Sequence, residues 1–141
     1  MKPRTKTIIE RLGFQDPDRK SPKHDQIQFW VRNNLRHVLK SVFPEKEIPS
    51  FDDIPVSLEY PVTDRNYVIG FVDVYCQQYN LGIEIKTQIE SVGELLRQIN
   101  FYRNYLGKGT WIVVSPDGRF AKVLQDQGVH FYKYSSQTEL F

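Results

Sequence analysis

The chain has 141 residues, the size of a single domain able to bury its own core. A hydrophobic content of 40% with 13% aromatic residues excludes a disordered chain, and a formal net charge of +2 permits local contact with nucleic acid without announcing it. Cys76 stands alone, so no internal disulfide forms; no Cys/His cluster offers a zinc site, no apolar run is long enough to span a membrane, and no signal peptide opens the chain, so the expected location is the cytoplasm.

Residues 1–22 read as a basic N-terminal arm, in which Lys2, Arg4, Lys6, Arg11, Arg19 and Lys20 outweigh Glu10, Asp16 and Asp18. Such an arm either follows a nucleic-acid backbone or keeps a terminus solvated. Residues 23–134 read as the folded domain. Its first helix starts at Ser21-Pro22-Lys23-His24-Asp25 and runs to about Val42, with Ile27, Trp30, Val31, Leu35, Val38, Leu39 and Val42 on the apolar face. Arg32, Arg36 and Lys40, four apart, make a basic stripe beside it: a solvated face, or phosphate contacts that position without reading sequence. Residues 44–55, rich in proline and acids, form a connector.

Three strands follow. Val56 to Val62 alternates weakly and is interrupted by Glu59; a turn at Thr63 to Asn66 leads into Tyr67 to Cys76, interrupted by Asp73. Gln77-Gln78-Tyr79-Asn80 is a polar turn that lays the next strand, 81–87, beside it as a hairpin. Strand residues two apart share a face, so Glu84 and Lys86 project from one side while Leu81, Ile83 and Ile85 project from the other. Ser91 to about Leu106 is an amphipathic helix with Glu94, Gln98 and Tyr102 aligned at its edge and Arg97, Arg103 and Lys108 nearby. A strand at 110–115, a turn at Pro116-Asp117-Gly118, a helix at 119–127 and a last strand at 129–134 complete the domain. The order predicts an α/β fold: a mixed sheet of about five strands with helices on its faces, the helix between 81–87 and 110–115 carrying a parallel crossover.

Charges inside apolar strands are costly unless paired or bound to a metal. Hairpin pairing can bring Asp73 next to Glu84, with Lys86 close by. Two carboxylates and a backbone carbonyl, that of Ile85, suit a hard cation such as Mg²⁺ or Mn²⁺, and metal-assisted phosphodiester hydrolysis is the chemistry such a point serves. The lysine can hold the attacking water and meet the scissile phosphate.

These residues carry a resemblance. Asp73, ten intervening residues and then Glu84-Ile85-Lys86 resemble the motif of the PD-(D/E)XK nuclease superfamily, and Gln98-Ile99-Asn100-Phe101-Tyr102 resembles the QxxxY of its RecB-like branch. Val72 stands where many members have the proline. The resemblance implies a restriction-endonuclease-like core and a Mg²⁺- or Mn²⁺-dependent nuclease acting on DNA, in repair, recombination, mobile-element or defence processes. It implies catalytic roles for Asp73, Glu84, Lys86, Gln98 and Tyr102, the last two arranging substrate and site. Members also take a metal ligand from the helix before the sheet, which makes His24 and Asp25 candidates. The alternatives for these two are a surface histidine and a first-turn acid favoured by the helix dipole. Glu59 is either a third acid near the metal or a solvent-facing strand residue. Tyr102 offers stacking on a base, or is an interfacial tyrosine at a helix edge. Arg97 and Arg103 join Arg32, Arg36 and Lys40 as nucleic-acid candidates. A junction-resolving or mismatch-processing endonuclease of the same fold, and a metal-free nucleic-acid-binding or scaffold module, are the competing functions.

Residues 135–141 read as a flexible tail. Its end, Gln137-Thr138-Glu139-Leu140-Phe141, is similar to the short peptide by which replication and repair proteins dock on the sliding clamp, with Gln137, Leu140 and Phe141 as the contacting residues. The alternative is a tail folded back to cover a gap. The short chain leaves little room for a specificity module, so a homodimer or another partner is expected to supply target choice.

Overall fold

Ser21 opens the first helix of the computed structural model by accepting the His24 amide at 3.1 Å on its hydroxyl, with Pro22 in the first turn where a missing N–H costs nothing. The structure describes residues 21–49 and 54–135. The single helix expected to reach Val42 is two: α1 (Pro22–Asn33) and α2 (Leu35–Val42). Asn34 breaks it, with φ −128 and a side-chain amide that donates to the Trp30 carbonyl at 2.9 Å. Asparagine offers the backbone a local partner in place of the helical ladder. The apolar pattern survives the break, because Ile27 and Val31 before it and Leu35, Val38 and Leu39 after it are all buried. The basic stripe is divided: Arg32 belongs to α1, Arg36 and Lys40 to α2.

The sheet has five strands in sequence order: β1 (Ser57–Asp64), β2 (Tyr67–Cys76), β3 (Leu81–Ile85), β4 (Thr110–Ser115) and β5 (His130–Lys133). β1, β2 and β3 pair antiparallel; β3, β4 and β5 pair parallel. The parallel steps need crossovers, supplied by α3 (Val92–Leu106) and α4 (Ala121–Asp126). The fold is thus α/β, a mixed five-stranded sheet flanked by helices. Among the described residues no helix is long and apolar enough to cross a membrane.

Each sheet face has its own apolar core. Leu81, Ile83 and Ile85 pack with Ile112 and Val114 against α1 and α2, while Trp111 and Val113 pack with Leu95, Ile99 and Tyr102 of α3. The period of two in β3 therefore turns Gly82 and Glu84 toward the α3 side. The hairpin between β2 and β3 turns at Asn80, whose φ of 47 is left-handed and tolerable for asparagine. Its side chain accepts from the Tyr75 hydroxyl at 2.6 Å and donates to the Leu106 carbonyl at 3.0 Å, which ties the hairpin to the end of α3. At the outer edge, β1 carries Pro61 and a shift of register between Val62 and Thr63.

Gly82 shows how closely the α3-side core is filled. A Cβ there would lie 2.7 Å from the Trp111 ring, which is stacked on Tyr102 at 5.7 Å, so a buried ring would have to shift. Gly82→Ala should cost about 1–3 kcal/mol by overpacking, read as a lowered midpoint in urea unfolding; an unchanged midpoint would show that Trp111 moves freely.

Candidate active site

The described rungs of the β2–β3 ladder are Val74↔Ile83, Tyr75↔Gly82 and Cys76↔Leu81. Asp73 and Glu84 are the next residues along each strand, beyond the last regular rung. There a side chain enters the backbone pattern: the Ile85 amide donates to Asp73 Oδ2 at 2.8 Å. The Asp73 carbonyl accepts from Gln28 Nε2 of α1, also at 2.8 Å. Asp73 is thereby held at its carboxylate by β3 and at its backbone by α1. The sequence reading had no role for Gln28. Its only signal was a polar residue beside Ile27, one turn after His24.

His24 is fully buried, and its Nε2 lies 3.3 Å from Asp73 Oδ2. Asp25 stands one step outward, half exposed, with Oδ1 at 3.7 Å from His24 Nδ1. Glu59 falls between the rungs Leu58↔Val74 and Tyr60↔Val72, opposite Asp73, and has a left-handed φ of 51. That conformation costs a non-glycine residue about 1–3 kcal/mol.

Asp73 and Glu84 are each only 1% exposed and Lys86 6%. Asp73 Oδ1 is buried with no hydrogen-bond partner, the condition of an anionic oxygen that a cation would satisfy. Among the described residues no three His, Cys, Asp or Glu side chains form a ready metal cluster. The buried hard oxygen donors among the described residues are the Asp73 and Glu84 carboxylates, and Mg²⁺ is commonly held by one or two carboxylates, with water completing its shell.

On α3, Gln98 and Tyr102 are buried one turn apart, the Gln98 amide 3.5 Å from the Tyr102 hydroxyl. That hydroxyl donates to the Phe71 carbonyl at 2.8 Å, while its ring stacks on Trp111 with 6° between the planes. Tyr102 therefore braces β2 two residues before Asp73, with its ring inside the core. Gln98 and Lys86 both line a pocket of about 450 Å³, together with Ser21, Lys23, Gln88 and Glu94. Asp73, Glu84 and Tyr102 do not line it.

The cations named from sequence are spread out. Arg36, Lys40 and Arg97 are exposed. Arg32 lies over the Phe29 ring at 5.1 Å. Arg103 is committed to the fold, donating to Asn100 Oδ1 at 3.0 Å and to the Gly128 carbonyl at 3.2 Å, and burial lowers its pKa. Gln137, Leu140 and Phe141 of the tail and residues 1–20 of the arm lie outside the described residues.

A second polar centre was read from sequence only as a turn. Asp117 Oδ2 accepts from the Ile89 amide at 3.0 Å and from Arg119 Nη2 at 2.8 Å; the same Nη2 donates to the Ile89 carbonyl at 3.1 Å, and Arg119 Nε donates to Asp117 Oδ1 at 2.9 Å. Asp-Gly-Arg after a strand carries no signal beyond a turn, because its partner, Ile89, is 28 residues away.

No protein-family model matches the chain, and no curated protein matches it. Among solved structures, the chain is similar to the crystal structure of a repair endonuclease from Pyrococcus abyssi, with a TM-score of 0.42 and 20% sequence identity over 73% of this chain and 46% of that one. It thus spans less than half the length of that endonuclease.

The Arg119 hydrogen bond, with the Ile89 and Arg119 amides, holds the Asp117 carboxyl well below the usual carboxylate range. A carboxyl that ionises more readily in the folded state adds stability above its unfolded pKa of about 3.9 and loses it as pH falls further. Urea unfolding of the native protein and of Asp117→Asn should therefore differ most at about pH 5–7, the gap narrowing gradually as the pH falls below about 4 toward the depressed folded-state value. A gap that persists unchanged in acid would mean that charge is not what the substitution removes.

Proposed function

We propose that this chain is a metal-dependent deoxyribonuclease that hydrolyses DNA phosphodiester bonds, in repair, recombination, mobile-element or defence processes. The observation that carries the reading is the Asp73 carboxylate, buried between β2 and β3, with one oxygen fixed by the Ile85 amide and the other lacking a hydrogen-bond partner. A purely structural aspartate would be expected to have both oxygens satisfied.

In this reading Asp73 and Glu84 would hold Mg²⁺ or Mn²⁺, and the Ile85 carbonyl would be a further ligand. When bound, the cation supplies Lewis-acid stabilisation of charge on the phosphate oxygens. The chain's own groups do the rest. The Lys86 ammonium, a donor of three hydrogen bonds, holds the attacking water and a phosphate oxygen at the pocket wall. Gln98 faces the same pocket, where its amide can bond to the sugar-phosphate backbone. His24 and Gln28 set the position of Asp73, and Tyr102 sets the course of β2 through Phe71. Exposed Arg36, Lys40 and Arg97 supply phosphate contacts that carry no sequence information. Target choice falls to a second copy or another partner, and Gln137, Leu140 and Phe141 are the residues offered to a sliding clamp.

The test is incubation of supercoiled plasmid and of labelled single-stranded, duplex and branched DNA with Mg²⁺ or Mn²⁺, with EDTA and Lys86→Ala as controls. Cleavage should require the metal and fall at least about 100-fold in Lys86→Ala, the scale for losing a donor that stabilises transition-state charge. Mg²⁺ at about 100 times its Kd should add about 2.7 kcal/mol of stability to the native protein, and far less to Asp73→Asn or Glu84→Gln. A folded protein that cleaves nothing and gains no stability from metal would be a binding module instead.

A further inference from the structure

We infer that Asp117 and Arg119 are positioning residues for Lys86, which they act on by fixing the segment 86–91; the inference rests on the hydrolytic reading of the site. This segment follows β3 without helix or strand, and all six of its residues line the pocket. Its start is fastened by the Lys86 amide, which donates to the Val114 carbonyl of β4 at 3.0 Å. Its end is Ser91, the N-cap of α3, whose hydroxyl accepts the Glu94 amide at 3.2 Å. Between them, Ile89 is held by both of its backbone groups, the amide by Asp117 and the carbonyl by Arg119.

That grip imitates a rung of β-ladder. The β3–β4 pairing reaches Ile85↔Val114, and the Asp117–Arg119 pair then offers one acceptor and one donor to a backbone that has left the sheet. Two bonds to one residue fix orientation as well as place. The pair is itself anchored: the Asp117 amide donates to the hydroxyl of fully buried Ser115, and the Arg119 amide donates to Asp117 Oδ1. A rigid path therefore runs from the end of β4 to Ile89, three residues from Lys86. The Ile89 side chain, 2% exposed, fills the α3-side core and holds the segment from within.

The pair's chemistry separates positioning from stability. The Arg119 side chain is 60% exposed, so solvent screens the stability it lends to Asp117, and its loss costs the fold only part of that stability while the Ile89 amide stays on the carboxylate. Its removal should leave the protein folded while the segment loosens. A misplaced water-holding group, by contrast, costs about 10–100-fold in turnover.

The experiment compares the whole chain with Arg119→Ala, Asp117→Ala and, as a control, Lys122→Ala, which breaks the exposed Lys122–Asp126 pair of α4. Each is measured for metal-dependent cleavage, with kcat and KM separated, and for amide hydrogen exchange. The expected result is faster exchange at Ile89, unchanged exchange in β4, and kcat lowered about 10–100-fold with KM nearly constant in both pair variants and in neither respect in the control. Unchanged kcat in folded Arg119→Ala overturns the proposal, whether or not the segment exchanges faster. If Asp117→Ala fails to fold, Arg119→Ala decides. A native protein that cleaves no DNA removes the hydrolytic reading by itself, and Ile89 exchange then decides whether the pair fixes the segment: protection that survives in Arg119→Ala overturns that too.

Discussion

A carboxylate buried where one strand's regular pairing with its neighbour ends must be satisfied from several directions, and Asp73 shows how this chain does it. The Ile85 amide takes one oxygen, His24 approaches the same atom, and Gln28 takes the backbone carbonyl. Each contact comes from a different stretch of chain, so α1, β2 and β3 meet at this residue. Leaving a buried charge unsupported costs several kcal/mol. The other carboxylate oxygen, Oδ1, is buried without a hydrogen-bond partner and is the costly part of the arrangement.

The helices divide the labour. α1 and α2 cover the apolar side of β3, where Leu81, Ile83 and Ile85 need only packing, and α1 also brings His24 and Gln28 to Asp73. α3 covers the side that carries Glu84 and contributes polar groups: Gln98 at the pocket and Tyr102 at the back of β2. Tyr102 is an internal strut rather than a surface for bases, its hydroxyl on Phe71 and its ring on Trp111. A residue type suited to touching substrate can serve the site equally by holding a strand in place.

Much of this was legible in the sequence because it depends on local patterns. Charges interrupting apolar strands marked Asp73 and Glu84, and alternation placed Leu81, Ile83 and Ile85 on one face. The run from Tyr67 to Cys76 was read with the bounds β2 has. What escaped depends on distant partners or on one residue's competing preference. The apolar rhythm from Ile27 to Val42 passes through Asn34 unbroken, so nothing in it announced that a side-chain amide would end α1. Arg103 looked like a free cation, yet a carbonyl in the turn before β5 engages it. Gln28 and Asp117 bond to chain 45 and 28 residues away, separations that periodicity does not reach.

The outer strand has a consequence for how molecules of this kind meet. An unpaired strand edge is a template on which another chain can add itself. Along the eight residues of β1, Pro61 withholds a donor, the register slips after Val62, and Glu59 turns into the left-handed region. A visiting strand would find neither a continuous row of amides nor a flat ribbon to lie against. Among the described residues, this border of the sheet is a poor seam for joining two molecules into one larger sheet, and the same irregularities that break the strand make accidental stitching at high concentration less favourable.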